Sequence, residues 1–230
     1  LLEEAGIDYY VLFPFDAVTA GTEAEDFLKD ILFKQMNMQV LVAGEDLSFG
    51  REGKGNAEFV KEKCKEYDFK FCECQKLRLG EDEISATLVR DSVMKGDMEK
   101  CNALLGRDYC VSGCVEKGNQ LGRTMGVPTC NITVSSQKLL PPRGVYFTKV
   151  SVDNRIFYGV TNVGTKPTVS NRDEVGIETH ILQFDEVIYG ENIIVDFVHF
   201  HRPERKFESL ENLKKQLEDD ITKAKEYFKL

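Results

Sequence analysis

Strand and helix signals alternate through the first part of the chain, and after Gly106 they stop alternating. YYVLFPF (Tyr9 to Phe15) reads as a buried strand. A helix follows, opened by Thr22 with Glu25 three residues on in a capping-box arrangement. QVLVAG is a second strand, a helix is expected near Asn56 to Tyr67, and a strand near Lys70 to Leu79. This order predicts a parallel α/β layer. Ser85 is placed to cap one further helix, and Asp97, after Gly96, a second that ends at Gly106. Beyond that point GVYFTKVSV and RIFYGVTNVG are β-rich runs joined by Asp153-Asn154, the composition of a two-residue hairpin. Further strands around Gly176 to Phe184 and Asn192 to Phe200 predict a small antiparallel barrel or sandwich over residues 108–200. The tail repeats Phe207, Leu210, Leu213, Leu217, Ile221 and Phe228 at helical spacing after Ser209, so one amphipathic helix closes the chain, its stripe reading as core packing.

Charge and cysteine usage narrow the class of partner. Thirty Lys and Arg against 39 Asp and Glu give a net charge of -9, which argues against a polyanion such as DNA, whose binding needs clustered cations. There is no run of about 18 apolar residues to span a membrane, and no apolar signal segment follows a basic start. The cysteines number seven and form no C-x-x-C pair, a usage that fits reduced thiols in the cytoplasm. Cys72 and Cys74 share a strand face, and His199 and His201 lie two apart, but neither pair has an evident third metal ligand. The sequence starts at Leu1 without an initiator methionine, which reads as a fragment or a processed product.

A glycine run at 113, 118, 122 and 126 ends in GVPTCNI. A Walker loop would close on Gly-Lys-Ser/Thr, which does not occur. A dinucleotide fingerprint would lead into a helix, whereas Pro128 is followed by the strand-like Thr129, Ile132, Thr133 and Val134. The run is therefore a different anion site or a turn.

Read together, the motifs G-x4-G-x3-GR-x2-G-x-PTCNI, LLPPRGVY, GVTNVGTKPTV, IETHILQFDEVIYG and RPERKFESLENLKKQLEDDI resemble riboflavin kinase over about residues 107–228. The earlier segments FPFDAV, LVAGEDLSFGREGKG and ISATLVRDSVMKGDMEKCNALLGRDY resemble the nucleotidyltransferase domain of the bacterial bifunctional riboflavin kinase/FAD synthetase. The resemblance implies two domains, 1–106 for a Rossmann-like FMN adenylyltransferase and 107–230 for an all-β kinase barrel with its C-terminal helix. It also implies an ATP- and Mg²⁺-dependent enzyme that converts riboflavin to FMN, with FAD formed by the bifunctional parent. A non-catalytic flavin-binding module is the alternative.

The same resemblance assigns the site residues. Gly118, Gly122, Arg123 and Gly126 would lie over the ATP phosphates as a backbone nest, with Thr129 and Asn131 holding both Mg²⁺ and nucleotide. Glu178 matches the catalytic carboxylate, a general base for the ribityl hydroxyl. Gly164, Thr165, Pro167 and Arg202 would hold the flavin or the product phosphate, Arg202 being the natural phosphate contact. Asp46, Ser85, Thr87 and Arg90 match the adenylyltransferase pocket. Two departures concern that pocket: no histidine precedes His180, although the family places histidines at the ATP phosphates, and Ala86 stands where the family has serine. The adenylylating half is accordingly expected to be incomplete and the kinase half whole.

Overall fold

The computed structural model describes residues 2–3, 5–118, 122, 125–165 (for Thr165 the backbone alone) and 175–230. They group into two compact units, Leu1–Arg78 and Leu79–Leu230.

In the first unit α1 (Ala17–Ala20) is capped by Asp16, whose carboxylate accepts from the backbone of Val18 and Thr19. The chain then enters α2 (Ala24–Asp26), which continues as a π-wound segment over Phe27–Gln35. The box expected from Thr22 and Glu25 does not form: the N-cap is Glu23, the Thr22 hydroxyl donates to the Val18 carbonyl, and Glu25 is taken by Lys63 and Tyr67. Strands β1 (Val40–Gly44) and β2 (Lys70–Cys74) pair in parallel around α3 (Ala57–Glu66), which Asn56 caps through Phe59 N. A small core of Leu28, Val60 and Phe69 sits among these elements. The segment expected as a buried strand, Tyr9 to Phe15, is instead irregular and largely exposed, with Tyr9 90% and Phe15 88% exposed while Phe13 meets the Phe27 ring edge-on at 5.5 Å. A strand needs a hydrogen-bonded neighbour, and among the described residues β1 pairs with β2 and not with this segment.

The second unit begins with the short pair β3 (Arg78–Leu79) and β4 (Asp82–Glu83) and two helices, α4 (Ala86–Lys95) and α5 (Met98–Leu105). Ser85 and Asp97 cap these helices as expected, accepting from Leu88 N and Lys100 N. Next come β5 (Tyr109–Glu116), β6 (Cys130–Thr133), β7 (Gly144–Val152), β8 (Arg155–Thr165), β9 (Val175–Ile181) and β10 (Asn192–Pro203). They close into an antiparallel barrel in the order β10-β5-β6-β9-β8-β7. Asp153 and Asn154 both take positive φ between Val152 and Arg155, as a two-residue primed turn requires. Ile132, Val163, Ile177, Val195 and Phe197 fill the interior, and Val93 of α4 with Met98 and Cys101 of α5 join the same core. The packing division thus falls after Arg78, whereas the division read from the motifs falls after Gly106. The polar interior is satisfied by a buried ladder in which Thr161 hydroxyl bonds both Thr148, at 2.8 Å, and Thr179, at 2.9 Å.

Helix α6 (Leu210–Phe228) is capped by Ser209, accepting from Asn212 N, and crosses the outside of the barrel. Val145, Phe147, Val160 and Leu182 on the outer wall pack with Ala224, Ile221 and Phe228 of the helix. Because the cluster does not cover the whole wall, a cleft remains beside it.

Candidate functional site

Outward residues of a barrel strand lie two apart. On β9 these are Glu178 and His180, and the register sets Glu178 between Asn131 of β6 and Asn162 of β8. Three polar side chains therefore form a row across three strands at the edge of the apolar wall under α6. Asn131 is nearly buried at 8% exposure, because the chain leaving β5 runs over it. At Gly118 a Cβ would collide with the Asn131 amide, so a larger residue there would have to displace that side chain.

The Gly122 carbonyl accepts from both Met125 N, at 3.1 Å, and Val127 N, at 2.9 Å, and Gly126 closes this turn at φ +82°. The turn delivers Pro128 and Thr129 to the start of β6. Arg123 lies outside the described residues, so its place over the loop is not described. The Pro128 carbonyl accepts from His180 Nδ1 at 2.7 Å, which fixes that imidazole as the Nδ1–H tautomer. Burial pushes the His180 pKa below its ordinary value, and the bond to Pro128 opposes this only in part, so the ring is neutral. Burial also drives the Cys130 thiol up to about 11, leaving it a donor to the Thr179 carbonyl and no nucleophile.

Two clefts meet at Thr129. One, of about 280 Å³, is lined by Pro128, Thr129, Cys130 and Thr179 and by the segment Phe184–Tyr189. The other, of about 230 Å³, lies between the barrel wall and α6 and is lined by Gly122, Val127, Thr129, Val145, Val160, Asn162, Glu178, His180, Arg202, Glu204, Leu213, Leu217 and Asp220. The helical stripe read as core packing thus has a second role, since Leu213, Leu217 and Ile221 form the cleft wall.

Arg202 borders that cleft through an ion pair. Its Nε and Nη2 donate to Asp220 Oδ1 and Oδ2 at 2.9 and 2.6 Å, and Nη1 donates to the Pro203 carbonyl. Asp220 is fully buried and also accepts from Gln216 at 2.7 Å. His201 Nε2 lies 3.3 Å from the same carboxylate without the alignment of a hydrogen bond. Gly164 lies against Glu204 and Asn162, where a Cβ would strike the Glu204 carboxylate. Thr165 ends β8 opposite Val175, and Pro167 is outside the described residues.

Of the residues matched to the adenylyltransferase pocket, Asp46 belongs to the first unit, exposed and 3.6 Å from Lys76 Nζ. Ser85, Thr87 and Arg90 belong to the second, at the start and along the exposed side of α4. Sequence reasoning missed His180, Asn162 and the Phe184–Tyr189 wall. The alternation of β9 could have pointed to His180, which follows Glu178 at a strand's two-residue step.

Residues 105–228 match the family model described as riboflavin kinase, and residues 1–88 match that described as FAD synthetase. A bifunctional riboflavin kinase/FMN adenylyltransferase from Haemophilus influenzae is 35% identical over 99% of this chain and 73% of its own length. The Escherichia coli K12 protein of the same description is 34% identical over 100% of this chain and 73% of its own. Among solved structures, a macrolide-efflux protein from Streptococcus pneumoniae superposes with a TM-score of 0.86 at 30% identity, over 96% of this chain and 71% of that one.

Proposed function

The chain belongs to the bifunctional riboflavin kinase/FMN adenylyltransferase family, and from that premise we propose that its kinase reaction takes place where the two clefts meet at Thr129. It is a riboflavin kinase, moving the γ-phosphoryl group of ATP to the 5′-hydroxyl of riboflavin to give FMN and ADP. The observation that carries the placement is that Glu178, paired in register with Asn131 and Asn162, lines the cleft under α6 with Asn162, and that Thr129 is common to both clefts.

The flavin takes the cleft under α6, because that cleft joins an apolar wall to the Glu178 carboxylate. ATP takes the Phe184–Tyr189 cleft and extends its phosphates past Thr129, beneath the loop of Gly118, Gly122, Arg123 and Gly126. Arg202 borders the flavin side, where the Asp220 carboxylate holds its guanidinium in a fixed plane, and the resemblance assigns Gly164, Thr165 and Pro167 to the same ligand.

Mg²⁺ fits the donors present. Thr129 and Asn131 offer neutral oxygens two residues apart, approached closely by the bare backbone of Gly122 and Gly118 respectively. When bound, the ion neutralises charge on the transferring phosphates. Glu178 accepts the proton of the 5′-hydroxyl as that oxygen bonds to the γ-phosphorus, while the bond from phosphorus to the bridging oxygen breaks and leaves its electron pair on ADP.

Asp46, Ser85, Thr87 and Arg90 are assigned to the FMN-adenylylating site, Ser85 at a helix start suited to an anion. The protein works on small molecules in the cytoplasm, with no nucleic acid or membrane as partner. The alternative of a non-catalytic flavin-binding module is not favoured, since the family model and the relatives are those of kinases. Glu178→Gln tests the placement: it leaves equilibrium binding of flavin and ADP within about twofold and lowers kcat by about 10²-fold or more. An unchanged kcat would return Glu178 to a structural role.

A further inference from the structure

We propose that His180 is a positioning residue for phosphoryl transfer, holding Thr129 in place against the strand that carries Glu178. The inference rests on the placement of metal and base given above. The β6–β9 ladder pairs Ile132 with Ile177, Asn131 with Glu178 and Cys130 with Thr179, and there it ends. The next residue outward is Thr129, and before it comes Pro128, which has no N–H to give to a ladder. A proposed metal ligand thus stands one step beyond the last backbone pair, on a segment that proline cannot stitch to its neighbour.

His180 supplies the missing stitch. Its Nδ1–H donates to the Pro128 carbonyl at 2.7 Å, and the ring lines the cleft that also contains Glu178 and Thr129. Glu178 and His180 share the outer face of β9, two residues apart. One strand therefore carries both the base and the bond that fixes the segment bearing the metal ligand. Phosphoryl transfer depends on the distance between those two groups, so a bond that sets the distance acts on the rate.

The tautomer is a specific consequence, because a carbonyl oxygen only accepts and the proton must sit on Nδ1. Asparagine places an amide N–H close to where the Nδ1–H lies, while phenylalanine keeps a ring and loses the donor. The test compares the parent chain with Thr129→Ala, His180→Asn and His180→Phe, reading the Mg²⁺ concentration for half-maximal FMN formation and, by calorimetry, the affinity for MgADP. Nitrogen-15 NMR of the ligand-free parent reads the His180 tautomer.

We expect His180→Phe to raise the Mg²⁺ midpoint and weaken MgADP binding by about threefold to tenfold, the worth of one hydrogen bond. His180→Asn should recover most of that loss, and the parent should show the Nδ1–H form. A parent midpoint and parent MgADP affinity in His180→Phe, with both shifted in Thr129→Ala, would overturn the role of His180 and leave the metal placement standing. No shift in Thr129→Ala would overturn the metal placement and this proposal with it. Should His180→Phe fail to fold, an Nε2–H tautomer in the parent, or a His180→Asn midpoint shifted as far as that of Thr129→Ala, would overturn the proposal by itself.

Discussion

The two compact units differ in how they treat the edges of their sheets. In the second unit six strands close on themselves, so every strand has two neighbours and its backbone groups are paired within the barrel. In the first unit β1 and β2 form a two-stranded parallel sheet, with Val40 and Val42 outward at 51% and 60% exposure and the apolar segment Tyr9 to Phe15 largely exposed. The apolar content of the two regions is read from the same kinds of residue. Closure is what differs: each barrel strand has two neighbours, although β5 with β10, β6 with β9 and β7 with β10 are not consecutive in the chain, whereas β1 and β2 each have one partner among the described residues.

That contrast can be broken by mutation. Phe197 is fully buried in the barrel against Tyr146, so Phe197→Ala should cost about 3–5 kcal/mol in chemical unfolding and abolish FMN formation at raised temperature. A loss below 1 kcal/mol, on the order of a surface change, would mean that the barrel core is not what holds the kinase site. The smallest effect belongs to the solvent-facing segment, where Leu12, 79% exposed, can become serine with a change within about 0.5 kcal/mol. A larger destabilisation would show that Tyr9 to Phe15 is packed in solution.

What was legible in the sequence follows the same line. The Asp153-Asn154 hairpin and the caps at Ser85, Asp97 and Ser209 were readable because each is decided within a few residues. Alternation on short paired strands likewise sets Asn131 beside Glu178, while Thr129 meets Glu178 only through the cleft they both line. The Thr22 box failed because Glu25 found Lys63 and Tyr67, partners 38 and 42 residues away. Arg202 read as an available cation because nothing local showed that Asp220, one helix later, would be buried beneath it. His180 escaped notice because its function depends on a carbonyl that lies 52 residues away.

The most direct measurement of the central claim is a crystal structure of the chain with MgADP and FMN bound. The account predicts the metal about 2.0–2.1 Å from Thr129 Oγ1 and Asn131 Oδ1, the adenine against Phe184–Tyr189, and the FMN phosphate end beside Glu178 under α6. A metal held away from Thr129, or the flavin seated in the Phe184–Tyr189 cleft, would contradict it.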